Sequence, residues 1–308
     1  MKIVFLGTPE FSVIPLKKLI DNNCGFKVIA VGTNRDKPIG RKQVLTPSPV
    51  KIEALKHRIP VFEYDKIRVE GVDDLKKLNP DLIVTCAFGQ ILSQEILDIP
   101  KFGVINIHAS LLPDLRGASP IHYAILKGYK KTGITIMKTV FSVDAGDILV
   151  QKSLEIGKNE TTGELFNRLS NLGGEMIVPA IKSIFEGTAV FTSQNEEKAT
   201  FTKMIKKSDA KIDWGETCEN IINKIRAYNP APIAYTFLDG EMLKIFSARK
   251  SSETGKIGEI IKAEDNLIIA CKDGAVEILE LQKAGSKKMH AKEFLRGAKL
   301  IKGTILHD

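Results

Sequence analysis

Asn106 and His108 are the residues in this chain whose types and spacing could do chemistry. They close the segment 103–108 (GVINIH), a short apolar run that reads as a strand. Side chains alternate along a strand, so residues two apart share a face. In open α/β sheets, ligands bind outside the carboxyl ends of the strands. An amide and an imidazole on one face there can donate hydrogen bonds to a ligand, and the imidazole can carry a proton near neutral pH. The loop that follows opens with Leu111-Leu112-Pro113 and continues through Arg116-Gly117, a shaped connection rather than a generic one. A second, acidic loop, Asp144-Ala145-Gly146-Asp147-Ile148, lies between the strand-like runs 134–140 and 148–154. Each feature has a plainer reading. A lone Asn-x-His at a strand end more often bonds the loop that follows it. An isolated Asp such as Asp144 is more often a turn former or a helix cap.

The elements that must position these residues alternate in type. Strand-like runs at 2–7 (KIVFLG), 26–31, 61–64 and 81–88 are separated by helical patterns at 11–20, 49–58 and 72–78, and another follows at 119–127. Short continuous apolar runs alternating with helices predict βαβ units and a Rossmann-like, mostly parallel sheet. The stretch 161–186 has helical periodicity, with Leu165, Leu169 and Leu172 on one face. From about Val190 the texture changes to short strands at 234–238, 243–248, 257–262, 267–271 and 276–281. Asp239-Gly240 and Asp273-Gly274 are hairpin signals between them. The expectation is an α/β domain over 1–188, a polar linker over 189–206 and a small β-barrel over 207–308.

Several classes drop out. The first strand runs into Gly7-Thr8-Pro9-Glu10-Phe11, which lacks the GxGxxG that a dinucleotide pyrophosphate requires, and no GxxxxGK[ST] is present. No apolar run approaches the roughly 20 residues of a membrane span. Met1 leads directly into a strand-like pattern, so no signal or transit peptide is expected. Cys24, Cys86, Cys218 and Cys271 stand far apart without a CxxC pair. They read as reduced thiols of a cytoplasmic protein, with no zinc site and no disulfide framework. A net charge of +8 favours an anionic partner, but charge alone is equally satisfied by solubility.

The run from Asn106 to Pro120, together with Thr132-Gly133-Ile134-Thr135-Ile136-Met137 and the Asp144–Ile148 loop, resembles the folate-dependent formyltransferase family. The opening residues 2–11 narrow the likeness to the subgroup acting on methionine carried by initiator tRNA. So do Lys211-Ile212-Asp213-Trp214, Ile225-Arg226-Ala227-Tyr228-Asn229-Pro230 and Phe294-Leu295-Arg296-Gly297. The likeness covers essentially the whole chain. It implies a formyltransferase domain followed by an OB-like barrel that binds tRNA, working in translation initiation; a monomer is expected because no oligomerisation signal stands out in the sequence. The donor it implies is 10-formyltetrahydrofolate, with no metal and no covalent enzyme intermediate.

The resemblance also assigns roles. Asn106 and protonated His108 would donate hydrogen bonds to the oxyanion formed when the amine attacks the formyl carbon. Asp144 would pair with the imidazolium and help move a proton from the amine to the leaving folate nitrogen. Ser110, Leu111, Leu112 and Pro113 would border the folate. Phe88, Gly89, Gln90 and Ile91 would wall the pterin, although that segment also reads simply as a tight strand-to-helix turn. Arg41 and Lys42, in the polar stretch 34–43, would reach the tRNA acceptor end; on composition alone this is a surface loop. The tail 283–308 has seven basic residues (Lys283, Lys287, Lys288, Lys292, Arg296, Lys299 and Lys302) against Glu293 and Asp308. It reads as a phosphate-facing patch through Lys287, Lys288, Lys292 and Arg296, or as a solvated end.

The chain departs from the family's usual pattern at Ala231 and Ile233, where a tryptophan and a glycine are customary. Its stretch after Arg41 is also less basic and less glycine-rich. Length argues against the relatives that formylate glycinamide ribonucleotide. A relative acting on an amino sugar nucleotide is the main alternative, followed by a hydrolase of the same folate. A catalytically silent RNA-binding protein would not need Asn106, His108 and Asp144.

Overall fold

The structure is a computed structural model and describes residues 1–40, 42–298 and 300–306. In chain order it contains β1 (Lys2–Gly7), α1 (Val13–Ile20), β2 (Lys27–Asn34), β3 (Lys37–Ile39), β4 (Val44–Thr46), α2 (Pro49–Lys56), β5 (Val61–Tyr64), α3 (Ile67–Glu70) and α4 (Val72–Leu78). There follow β6 (Leu82–Cys86), α5 (Gln94–Leu97), β7 (Val104–His108), β8 (Arg116–Gly117), α6 (Pro120–Leu126), β9 (Lys131–Lys138), β10 (Ile148–Glu155), α7 (Thr162–Phe185) and β11 (Phe201–Thr202). The remainder is α8 (Cys218–Ala227), β12 (Ala234–Leu238), β13 (Glu241–Ser251), β14 (Ile260–Ala263), β15 (Leu267–Cys271), β16 (Gly274–Lys283), β17 (Met289–His290) and α9 (Ala291–Gly297). The chain divides into two units, one of 1–117, 132–154 and 166–202, the other of 118–131, 155–165 and 203–308.

The first unit is built on a seven-stranded sheet in the order β10-β9-β7-β6-β1-β2-β5. The strands from β7 to β5 run parallel, and β9 runs antiparallel to β7. Its central strands are apolar on both faces because helices cover both; every residue of β6 is buried. Local chemistry starts and stops the helices. The Ser48 hydroxyl accepts from Lys51 N at 3.1 Å and Pro49 takes the first helical position, so α2 begins there. α4 ends on Asn79 in the left-handed conformation. The stretch expected as a loop around 34–43 instead carries the β3–β4 hairpin, with Lys37 opposite Thr46. Arg41 and Lys299 lie outside the described residues.

α7 covers the back of β7. Side chains alternate along β7, so Ile107 points away from Asn106 and His108. A Cβ on Gly173 would lie 3.1 Å from Ile107 Cγ2, and one on Gly174 2.9 Å from Ile14 Cγ2. No helix among the described residues is long and apolar enough to cross a membrane.

The second unit is an antiparallel sheet in the order β12-β13-β16-β15-β14, with β17 paired to β16. The expected Asp239-Gly240 hairpin is there, with both residues at positive φ as a type I′ turn demands. The helix α8 was not expected amid the strand-rich texture. Thr217 caps it by accepting from Asn220 N, and Cys218, Ile221 and Ile225 form its buried face. That face packs in a core with Trp214, Leu243, Ile245, Val276 and Ile278. The cysteines are all free thiols, yet 53 residues of sequence separation hid a contact. Cys218 Sγ and Cys271 Sγ lie 2.8 Å apart, at the start of α8 and the end of β15. Ile233, at the position where glycine is customary, has φ of 71° and is buried. A β-branched side chain is poorly suited to that conformation.

Candidate active site

β7 delivers Asn106 and His108 to one face, as alternation requires, and Asp144 meets them from the β9–β10 connection. β9 leaves the sheet beside the start of β7, where Thr139 N donates to Val104 O at 2.7 Å. The connection then turns back far enough to bring Asp144 Oδ2 to 3.6 Å from His108 Nδ1. Gly146 permits the turn, because a Cβ there would stand 1.8 Å from Lys138 O. Asp144 itself is left-handed, φ 49°, a conformation that Asp tolerates better than most residues.

The side chains are oriented by their hydrogen-bond partners. Thr85, opposite Asn106 in the β6–β7 register, donates its hydroxyl to Asn106 Oδ1 at 2.8 Å. That turns Asn106 Nδ2 toward Asp144 Oδ1, 3.5 Å away. His108 Nε2 lies 3.0 Å from the Leu115 carbonyl, which can only accept, so Nε2 carries a hydrogen. Nδ1 therefore faces Asp144. The Asp144 carboxylate is held by Gly117 N, which donates to Oδ2 at 2.8 Å. The His108 side chain is 6% exposed and that of Asp144 15%. These two charge-capable groups sit in a largely desolvated place, where electrostatic interactions are stronger than in water.

The loop 109–117 is cross-tied. Ser110 Oγ donates to Asp114 O at 2.6 Å, and Thr135 Oγ1 donates to Ser110 O at 2.7 Å. Gln151 Nε2 donates to Leu112 O at 2.8 Å. Leu115 N donates to Thr200 Oγ1 at 2.8 Å, and β8 pairs with β11. Ser110 and Leu112 are buried by this bracing, with Leu111 and Pro113 partly exposed beside them.

The segment 88–91 divides. Phe88 is buried, Gly89 has φ of 77°, and Ile91 is exposed. The Gln90 side chain faces inward. It donates to Asn34 Oδ1 at 2.6 Å and Tyr64 O at 2.9 Å, and accepts from Ile67 N at 2.7 Å. Its amide therefore ties three strand-end segments together. Among the basic candidates, Lys42, Lys287 and Arg296 are exposed. Lys288 is paired with Glu280 at 2.9 Å, and Lys292 with Asp265 at 3.2 Å. Sequence reasoning missed Thr85, Thr200 and Gln194, polar residues whose partners lie far away in the chain.

An amide, an imidazole and a carboxylate that converge at a strand end of an α/β sheet make an enzyme site able to donate hydrogen bonds to a developing oxyanion and move a proton. The chain belongs to the formyl transferase family: residues 1–181 match its transferase domain and residues 204–299 its C-terminal domain. It is 49% identical over 317 aligned residues to a methionyl-tRNA formyltransferase of Bacillus thuringiensis, covering 100% of this chain and 99% of that one. Two solved structures share the fold. One is HypX from Aquifex aeolicus in complex with tetrahydrofolic acid, at TM-score 0.63 and 20% identity over 96% of this chain and 47% of that one. The other is an N-formyltransferase from Helicobacter canadensis in complex with folinic acid and dTDP-3-aminofucose, at TM-score 0.68 and 21% identity over 92% of this chain and 99% of that one.

Proposed function

We propose that this chain transfers the formyl group of 10-formyltetrahydrofolate to the α-amino group of methionine on initiator methionyl-tRNA, supplying translation initiation. The observation that carries the reading is the convergence of Asn106, His108 and Asp144 in a chain that matches a methionyl-tRNA formyltransferase along its whole length. The amine nitrogen attacks the formyl carbon, a C–N bond forms, and the carbonyl oxygen becomes an oxyanion. Asn106 Nδ2–H, turned by Thr85 toward the Asp144 side of the site, donates to that oxygen. The 3.6 Å gap between His108 Nδ1 and Asp144 is longer than a formed hydrogen bond. Protonated, Nδ1–H is not committed to Asp144 and can donate to the oxyanion with the ring held in place by Leu115 O. Asp144 stands where it can take the proton of the attacking amine, directly or through water, and pass it to the folate nitrogen as the bond from formyl carbon to that nitrogen breaks. Collapse leaves formyl-methionyl-tRNA and tetrahydrofolate.

We assign catalysis to 1–188 and tRNA binding to 207–308, although 118–131 and 155–165 pack in the second unit and most of the expected linker, up to 202, packs in the first. The two family matches, ending at 181 and resuming at 204, support that division. Folate lies against Ser110–Pro113 and Phe88–Ile91, with Ile91 supplying apolar wall and Gln90 acting from behind. The basic residues assigned to tRNA contact are Arg41 and Lys42 in the first part and Lys287, Lys288, Lys292 and Arg296 in the second. The same reading makes the enzyme a cytoplasmic monomer that needs no metal.

The test is a formyl-transfer assay offering methionyl initiator tRNA, an amino sugar nucleotide and water as competing acceptors. Formylation of the charged tRNA alone is expected, with turnover lost by orders of magnitude in His108→Ala and Asn106→Ala while tRNA binding persists. Transfer to the sugar or to water would overturn the substrate. Unimpaired turnover in both variants would overturn the site.

A further inference from the structure

We infer that Gln194, 50 residues beyond Asp144 and untouched by the mechanism above, is a positioning residue that holds the Asp144 loop against the loop carrying Leu115 and Gly117. The inference rests on the reading of Asp144 as part of the reacting site. Gln194 Nε2 donates to Asp144 O at 2.8 Å and to Gly146 O at 2.7 Å. Its Oε1 accepts from Arg116 Nε at 3.0 Å and Arg116 Nη2 at 2.8 Å. One amide thus uses both hydrogens and its oxygen.

The orientation is forced. A guanidinium only donates and a backbone carbonyl only accepts, so a flipped amide would oppose like groups at every contact. Arg116 is buried at 2% exposure, and its other edge is occupied by Glu196, through Nη1 at 2.8 Å and Nη2 at 2.7 Å. The guanidinium holds the Glu196 carboxyl below its ordinary range, chiefly through the hydrogen bond and against desolvation, with its charge adding less.

The consequence is a closed circuit. Gly117 N donates to the Asp144 carboxylate, and Gly117 follows Arg116 in β8. The Arg116 side chain reaches Gln194, and Gln194 returns to the Asp144 carbonyl. Leu115, on the other side of Arg116, supplies the carbonyl that receives His108 Nε2. Arg116 and Gln194 therefore set the position of Asp144 relative to His108 from behind, without facing the reacting atoms. A left-handed aspartate with no regular structure around it needs such a restraint, since its loop has no ladder of its own.

Gln194→Leu keeps volume and removes all four bonds. Gln194→Glu keeps the acceptor for Arg116 and loses both donors to the Asp144 loop. In each, kcat for formyl transfer should fall on the order of 10²-fold, the scale of a displacement of about 1 Å in a reacting group. KM for both substrates should stay within about two-fold, since uniform binding is not removed. The decisive readout is coupling: in an Asp144→Ala background, Gln194→Glu should lower kcat no further, because its effect acts through Asp144. A purely structural residue would lower kcat in both backgrounds and raise KM along with it. If Gln194→Leu fails to fold, Gln194→Glu carries the same test. A normal kcat in Gln194→Glu, or full additivity with Asp144→Ala, overturns the positioning role. A normal kcat in Asp144→Ala alone overturns the site reading instead, so the two failures are distinct.

Discussion

Replacing Thr85 by valine isolates the bond that aims the Asn106 amide. The Thr85 hydroxyl donates at 2.8 Å to Asn106 Oδ1, with a longer 3.3 Å alternative at Ile105 O. Valine preserves the shape of this buried position and removes the donor. Asn106 is then oriented only by its long 3.5 Å contact with Asp144. A neutral hydrogen bond contributes about 0.5–1.5 kcal/mol net, or about 2- to 13-fold in the equilibrium between aimed and turned amides. Because only the aimed form offers Nδ2–H to the oxyanion, kcat should fall by about that factor with KM unchanged. Removing the donor outright in Asn106→Ala should lower the rate by roughly 10²–10³. The assay is kcat with folate donor and methionyl-tRNA both saturating, for wild type, Thr85→Val and Asn106→Ala side by side. A Thr85→Val enzyme as crippled as Asn106→Ala, or one with an unchanged rate, would refute the idea that this bond sets the amide.

The other predictions use groups away from the reaction. His122 has its pKa lowered, by burial first and against a backbone bond to Ala231. The folded state thus resists a proton that the unfolded chain accepts near 6.5; stability should be untouched above that pH and decline as pH falls below it toward the folded value, and His122→Phe should flatten the dependence of the melting temperature between pH 7 and 5. Burial pushes the thiols of Cys86 and Cys218 up to about 12, and Cys271 is buried too, so a maleimide at pH 7.5 should label only Cys24 natively and all four cysteines in denaturant, counted by mass. Two or more labels on the native protein would contradict the packing of those sulfurs. Lys287→Ala with Arg296→Ala should weaken tRNA binding and lower the log–log salt slope by about 2, while catalysis at saturating tRNA is spared.

The central strands were legible because burial on both faces leaves a plain signature, as in LIVTC of β6 and VINIH of β7. The same logic placed Asn106 and His108 together, since alternation is local. The helix α8 was missed although Thr217 and the spacing of Cys218, Ile221 and Ile225 announce it; its short length was lost among neighbouring strands. The β3–β4 hairpin has only three residues to a strand, too few for alternation to show, and its Val44 and Leu45 stay exposed, so nothing sets it apart from a loop. Nothing local identifies Gln194 or Thr85 as partners of the site. Their roles exist only after β11 pairs with β8 and β6 with β7, contacts made by topology rather than by neighbouring residues. Asp144 was found through family likeness, because a turn-forming aspartate and a reacting one are the same residue until His108 arrives beside it.

The paired glycines of α7 give the reacting face a foundation on the far side of the sheet. With no side chain at 173 or 174, the helix backbone settles directly onto Ile107 and Ile14. Ile107 is the residue between Asn106 and His108, so any outward drift of that strand meets a helix backbone instead of a deformable rotamer. Stiffness of this kind cannot be tuned by exchanging one aliphatic residue for another. The height of the two reacting side chains above the sheet is set like a gauge block, by the thinnest spacer that a peptide chain can offer.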